Sequence, residues 1–171
     1  MEAGAPLHNE AMFGDAPRAE DDEIHSRRRY GVVIGAQRLL LDGSGAVRVL
    51  EPGSMSRLPN THDWFLGLAN VRGNLIPVYD LARWQGLPAA DSGRMLLVVG
   101  TDDLAAATLV DSSPRSLLVP GNACAPPALS AGFAAHAKEA FALDDGIWTE
   151  LDWDALFQQT KAVAVLADKG V

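Results

Sequence analysis

The side chains able to do chemistry are few and scattered. Four histidines stand at His8, His25, His62 and His136, and no pair of them has the spacing of a metal site. The one cysteine, Cys124, excludes a Cys-His zinc set and any internal disulfide. It sits in "GNACAPP", a loop composition with no base beside it, so a nucleophilic thiol is not expected. "DSS" at Asp111–Ser113 offers hydroxyls, but at the end of an apolar run and before Pro114 it reads as a turn. The pairs Asp102-Asp103 and Asp144-Asp145 read the same way, because aspartate side chains bond to local backbone in turns. There is no G-x-S-x-G, no P-loop and no G-x-G-x-x-G. The expectation is a non-catalytic protein with no cofactor and no metal.

Binding groups are easier to find. Trp64, Trp84, Trp148 and Trp153 are large amphipathic residues that serve either a core or a partner contact. Trp64, which follows a proline-containing loop, is the best placed of them for a partner. A second candidate is Arg72, a lone cation inside the apolar run "DWFLGLANVRGNLIPVYDL". Gly73-Asn74 supplies the positive backbone angles of a tight turn there. The cation itself has three possible roles. It is a plain solvent group, or the partner of an internal carboxylate such as Asp80 or Glu51, or a planar fork of donors for a carboxylate or carbonyl on another protein.

Charge narrows the partners. The chain has 171 residues and a net charge of −8, with 48% hydrophobic residues. Residues 1–30 carry net −3, residues 31–119 net −1 and residues 120–171 net −4. The centre is nearly neutral, and its cations are arginines set far apart, which makes no stripe for tracking phosphates. Nucleic acid and an anionic membrane are therefore poor partners. "SRRRY" at Ser26–Tyr30 lies beside "EDDE" and reads as a self-compensating solvated stretch. The acidic N-terminal sequence has no apolar signal region, and no run approaches a membrane span, so a cytoplasmic location is expected.

These residues must be positioned by short strands. Residues 1–28 mix Gly, Pro and charge without periodicity and read as a mobile acidic arm. From there "YGVVI", "RLLLD" and "AVRVL" are short apolar runs divided by turn residues, the pattern of antiparallel hairpins. "EPGSMSRLPNTHD" reads as a loop. "WFLGLANVRGNLIPVYDL" gives two strands meeting near Arg72–Asn74, with Pro77 expected on an edge or at a bulge. "LARWQG" is a helical turn closed by Gly86. "RMLLVVGTDDLAAATLVD" is a further hairpin that echoes Val32–Asp42 in form, and "RSLLVP" another strand. "SAGFAAHAKEAFAL" fits a helix by periodicity, but Asp145-Gly146 between two strand-like runs favours a hairpin over Ala140–Leu151. "DWDALFQQTKAVAVLA" is a helix with Asp152 as N-cap and Asp154 in its first turn. The sum is a mainly β chain of about nine or ten strands and a C-terminal helix, in which turn spacing favours small barrels.

The stretch "LPNTHDWFLGLANVRGNLIPVYDLARWQG" resembles the signature of the CheW-like family. The matching residues are Pro59, Trp64, Gly67, Asn70-Val71-Arg72-Gly73, Ile76-Pro77-Val78 and Asp80-Leu81. "VVIGAQRLLLD", "MLLVVG" with "LVD", and "IWTELDWDALF" agree more loosely, so the resemblance spans about Arg29 to Phe157. "WFLGLANVRGNL" is closest to the type IV pilus branch of that family, often called PilI. The resemblance implies two small five-stranded SH3-like barrels packed together with a short C-terminal helix. It places the CheW-like domain at residues 29–158, with residues 159–171 as a tail. It implies an adaptor that couples a methyl-accepting chemoreceptor tip to the regulatory domain of a CheA-type histidine kinase, in a pathway controlling type IV pili. Receptor contact would fall to Arg72, Asn70 and Gly73, together with the strand positions Val49 and Glu51; no kinase-binding residue is assigned. The family commonly has a Glu where Val49 stands, with Glu51 two residues on, so a contact through that carboxylate is in doubt. The alternative is a small β-barrel module that grips a peptide and has no part in chemotaxis.

Overall fold

The computed structural model describes residues 27–41 and 46–166. The expected acidic arm falls outside the described residues except for Arg27 and Arg28, which open the first strand. The Asp-Gly-Ser-Gly stretch and the last five residues also fall outside them.

Two curled antiparallel-rich sheets make up the body. The first contains β1 (Arg27–Ile34), β2 (Gln37–Leu41), β9 (Arg115–Val119), β10 (Ala137–Leu143) and β11 (Gly146–Leu151), in the order β10-β11-β2-β1-β9. The second contains β3 (Val47–Leu50), β4 (Met55–Ser56), β5 (Phe65–Val71), β6 (Asn74–Tyr79), β7 (Met95–Val99) and β8 (Ala106–Val110), in the order β3-β7-β8-β6-β5-β4. A short helix α1 (Leu81–Trp84) follows β6, and α2 (Ala131–Ala134) precedes β10. The long C-terminal helix α3 (Trp153–Leu166) closes the described chain.

The faint echo in the sequence is an echo in topology. In each sheet one hairpin joins a second by a short parallel ladder, β11 to β2 in one and β6 to β8 in the other. A fifth strand then pairs antiparallel to the outer strand of the second hairpin, β9 on β1 and β3 on β7. The fifth strands are exchanged. β3 follows β2 in sequence but joins the second sheet, and β9 follows β8 but joins the first. The expectation that "AVRVL" would form a hairpin with the preceding run is therefore corrected: β3 crosses to the other sheet, where Val49 pairs with Leu97. The second sheet has one strand more than expected, because the loop "EPGSMSRLPNTHD" contributes the two residues of β4 beside β5.

Local chemistry explains the hairpins. Gly35 and Ala36 both take left-handed angles, φ 55° and 66°, and set Ile34 opposite Gln37. Pro77 lies in an interior strand rather than on an edge. It is tolerated because the parallel ladder to β8 begins only at Val78, one residue later. The register shift lies across the hairpin, between Phe65 and Gly67. The periodic stretch "SAGFAAHAKEAFAL" forms a helix only over α2 and is a strand from Ala137, so the hairpin reading holds and extends further toward the N-terminus. Asp152 accepts a hydrogen bond from the Ala155 N–H at 3.0 Å, the capping contact expected for α3.

Three apolar clusters follow from this arrangement. Leu40, Val119, Phe141 and Trp148 fill the first barrel. Ala69, Val71, Ile76, Val78, Leu96, Val98, Ala105 and Ala107 fill the second. Between them lies the largest, built from Val32, Ile34, Leu39 and Leu41 of the first sheet, Phe65, Tyr79 and Leu97 of the second, and Trp153, Leu156 and Phe157 of α3. The Trp153 indole N–H donates to the Leu40 carbonyl at 2.9 Å, which anchors α3 without leaving a buried donor unpaired.

A buried ionic contact reinforces that junction. Arg94 donates from both terminal nitrogens to the two carboxylate oxygens of Asp80, at 2.9 Å each, and from Nε to Asp111 at 3.1 Å. Asp111 in turn accepts the Gly35 N–H of the first sheet at 2.6 Å. All three side chains are nearly buried. Arg29 and Glu150 form a second buried pair, at 2.8 Å, on the first sheet.

Candidate functional site

The β5–β6 hairpin presents the residues singled out in the sequence. Val71 pairs with Asn74, so the two-residue loop is Arg72-Gly73 and not Gly73-Asn74. Its left-handed angles belong to Arg72, φ 53°, and Gly73, φ 87°, while Asn74 already starts β6. Of the two-residue loops that match the twist of their strands, the type I′ turn is the one with positive φ at both central positions. Glycine meets that need at little cost, whereas arginine is strained in it. The Asn70 side-chain oxygen accepts the Gly73 N–H at 2.9 Å, so Asn70 braces the turn.

Arg72 is exposed and makes no ion pair among the described residues. Pairing with Asp80, one of the internal roles open to it, is excluded by geometry, because Asp80 is fully engaged by Arg94. Burial pushes the Asp80 carboxyl up. The hydrogen bond from Arg94, the Arg83 backbone N–H and the charges of both arginines outweigh that and hold it below the ordinary carboxylate range. Glu51 is exposed beyond the end of β3 and is likewise unpaired among the described residues.

Behind the turn runs an apolar stripe. On β6 the side chains of Leu75, Pro77 and Tyr79 share a face, and Leu68 on β5 lies opposite Pro77. Tyr79 is buried against Phe157 in the shared core, with ring centroids 6.1 Å apart, and burial pushes its phenol up to about 12. Pro77 is half-buried, and Leu75 is 65% exposed. The stripe thus leaves the core and emerges toward Arg72. It floors a groove of about 600 Å³, with Leu58–Thr61 on one side and Asp102, Asp103 and Ala105 among its other lining residues. Lys161 and Ala164 of α3 complete the lining.

The structure gathers Asn70, Arg72 and Gly73 into one turn, next in sequence to Asn74 and Leu75 of the groove lining. Val49 and Glu51 lie apart in the strand order, on and just after β3 at the opposite edge of the second sheet. Val49 is half-buried and packs against the shared core. Trp64, expected as a partner anchor, is 7% exposed and belongs to that core, stacked on His62 with centroids 4.9 Å apart. Sequence reasoning passed over Leu75 and Leu104, both strongly exposed beside the groove. The available signal was an apolar residue just after a turn pair, Leu75 after Gly73-Asn74 and Leu104 after Asp102-Asp103. Among the described residues, no group of three or more His, Cys, Asp or Glu side chains is placed to hold a metal ion.

Comparison with known proteins agrees with this architecture. The family model described as CheW-like domain matches residues 30–161. The chain is 30% identical over 95 residues to Protein PilI of Pseudomonas aeruginosa, covering 54% of this chain and 53% of that protein. It is 24% identical over 102 residues to Chemotaxis protein CheW of Helicobacter pylori, covering 58% and 62% respectively. The matches thus span about half to three-fifths of the length of these curated relatives. The crystal structure of scaffolding protein TtCheW from Thermoanaerobacter tengcongensis superposes with a TM-score of 0.66 at 20% identity, over 77% of this chain and 88% of that one. At that identity the likeness concerns the fold.

Proposed function

The chain belongs to the CheW-like domain family, and from that premise we propose that it is a non-catalytic adaptor. It couples the cytoplasmic tip of a methyl-accepting chemoreceptor to the regulatory domain of a CheA-type histidine kinase. The pathway is one controlling type IV pili, a reading supported by the likeness to Protein PilI. The protein works in the cytoplasm, at receptor arrays; no helix among the described residues is long and apolar enough to cross a membrane.

The observation that carries the reading is Arg72. It is an exposed guanidinium with no ion pair among the described residues, held at φ 53° in the turn that leads into Asn74 and Leu75 of the groove lining. A strained backbone persists where its surroundings impose it, and such positions cluster at ligand contacts. The groove accepts the apolar face of a receptor helix hairpin through Leu75 and Pro77, and Arg72 offers its fork to a carboxylate or a helix-terminal carbonyl on that partner. The kinase domain docks elsewhere, on an apolar barrel edge such as that of β9, where Leu118 is exposed. Bridging the two makes receptor state and kinase activity interdependent, as a coupling free energy between sites. Each contact is modest alone, and clustering in an array supplies the avidity.

The test is calorimetric titration of wild type and Arg72→Glu with two targets, the receptor signalling tip and the kinase regulatory domain. The adaptor reading expects wild type to bind both and the folded variant to lose only the receptor. Equal receptor binding by the variant would place the contact away from Arg72. Binding of neither target by wild type would remove the adaptor reading and leave a peptide-binding barrel.

A further inference from the structure

The two barrels share an apolar core, but apolar contact is non-directional and by itself lets packed elements slide. A directional contact lies where the chain crosses between them. Asp111 directly follows β8 of the second sheet, and the chain then passes through Pro114 into β9 of the first. The Asp111 backbone N–H donates to the Val33 carbonyl of β1 at 2.8 Å. One carboxylate oxygen accepts the Gly35 N–H of the β1–β2 turn at 2.6 Å, and the other accepts the Arg94 Nε–H at 3.1 Å. Arg94 is itself held by both carboxylate oxygens of Asp80, just after β6. Rotation of one barrel against the other would therefore break contacts on one side of Asp111 or the other. The turn on the far side is shaped for close approach: Gly35 has φ 55°, and a Cβ there would collide with Leu87, which follows α1 of the second barrel. A neutral bond spans the same junction, from the Gly132 N–H of α2 to the Gln85 side-chain oxygen beyond α1, at 2.7 Å.

We infer that Asp111 is a positioning residue, which fixes the angle between the two barrels and with it the geometry in which receptor and kinase are held. The consequence for receptor and kinase rests on the adaptor reading; the angle does not. The core supplies adhesion between the barrels. Asp111 supplies orientation, because a hydrogen bond weakens steeply once it departs from linear. Both carboxylate bonds are charge-assisted, and the side chain is only 13% exposed, so water competes poorly for them. The Arg72 turn lies on the second barrel and the β9 edge on the first, so the junction stands between the two proposed docking faces. An adaptor with a loose junction would bind both targets and transmit little, because a change at one face would be absorbed before it reached the other.

Asp111→Asn tests this without stripping Asp80 of its arginine. An amide has one acceptor oxygen, so it keeps either the Gly35 or the Arg94 bond and turns a donor on the other. Spin labels at Thr101→Cys on the second barrel and Glu139→Cys on the first, both exposed, report the angle as a distance in the full chain carrying Cys124→Ser. The distance distribution by double electron–electron resonance should be narrow without the Asp111 exchange and about twice as wide with it. Gly67→Ala, which crowds the Ser56 backbone on the far side of the second barrel, is the control for lost stability and should leave the width unchanged. Without labels, Asp111→Asn should bind the isolated receptor tip and kinase regulatory domain each within about twofold of wild type. In the three-component assembly it should lower receptor-dependent kinase activity about fivefold or more. An unchanged width in Asp111→Asn overturns the inference, because the core alone then sets the angle. Equal widening in Gly67→Ala overturns it as well, by reducing the effect to stability. Widening confined to Asp111→Asn with full kinase control removes the transmission role and leaves the angle standing. If wild type binds neither target, the adaptor reading falls and takes transmission with it, while the distances still decide the angle.

Discussion

Arg94 holds both carboxylate oxygens of Asp80 at 2.9 Å and still reaches Asp111 at 3.1 Å. Through Asp111 and the Gly35 N–H this one guanidinium connects the second sheet to the β1–β2 turn of the first. Removing it leaves two nearly buried carboxylates without a cation, each keeping only a backbone N–H donor, from Arg83 for Asp80 and from Gly35 for Asp111. Arg94→Met keeps most of the side-chain volume and removes the charge. It should lower stability by about 3–5 kcal/mol, the range for breaking a buried pair by deleting one partner. The measurement is the urea midpoint at neutral pH.

The same contact sets an acid dependence. The folded-state pKa of Asp80 lies below its ordinary value. A depressed carboxylate contributes stability that is fully present above its unfolded value, about pH 4, and is lost as pH falls through the folded value. In Arg94→Met the hydrogen bond and charge of Arg94 are gone, and burial acts against only the Arg83 N–H and charge, so the depression is lost or reduced. The stability gap between wild type and variant should therefore narrow as the solution is acidified below about pH 4. Urea titrations at a series of pH values read this directly; a constant gap would mean that Asp80 is not the group responsible.

Gly67 offers a packing test beside the groove. It takes φ 124° where β5 shifts register, and a Cβ there would collide with the Ser56 carbonyl oxygen. Both the angle and the backbone neighbour oppose a side chain. Gly67→Ala should cost about 2–3 kcal/mol, more than a surface exchange, by forcing β4 away from β5. Amide hydrogen exchange should show early loss of protection at Met55, Ser56, Leu68 and Ala69. An unchanged pattern would mean that β4 adapts without leaving the sheet.

Most hairpins were legible in the sequence because their signals are local. Turn residues between apolar runs specify a register, and Asp152 before a helical period specifies a cap. The exchange of β3 and β9 between sheets was not legible, since "AVRVL" and "RSLLV" look alike wherever they pair. The ion triad was hidden for a related reason. Asp80, Arg94 and Asp111 are separated by 14 and 17 residues, and nothing local joins them: in the sequence Asp80 stands as a possible partner of Arg72 and Asp111 as part of a turn. The hint was that two apolar runs end in aspartate and the run between them opens with the arginine. Trp64 was misplaced because a residue after a loop can point either way, and the shift near Gly67 accompanies the turning of its neighbour Phe65 into the shared core. Arg72 stands out in the sequence, but the Gly73-Asn74 pair points to left-handed angles one residue later than the structure has them. A two-residue loop is defined by the pair that flanks it, and that pair is Val71 and Asn74.

That last correction separates stability from function at one residue. If Arg72 is kept for a partner, the folded protein carries the strain of a left-handed arginine with no ion pair among the described residues to offset it. Asparagine tolerates the same angle better, because its short polar side chain bonds to nearby backbone. Arg72→Asn should raise stability by about 0.5–1 kcal/mol while weakening binding of the receptor tip about tenfold or more. Arg72→Lys should keep the strain and the charge but lose the planar fork, and fall between wild type and Arg72→Asn in affinity. Urea denaturation and calorimetry on the same three proteins decide it. Stability gained with binding lost is the signature of a residue retained for its partner. Stability gained with binding intact would mean that the arginine is only a solvated turn.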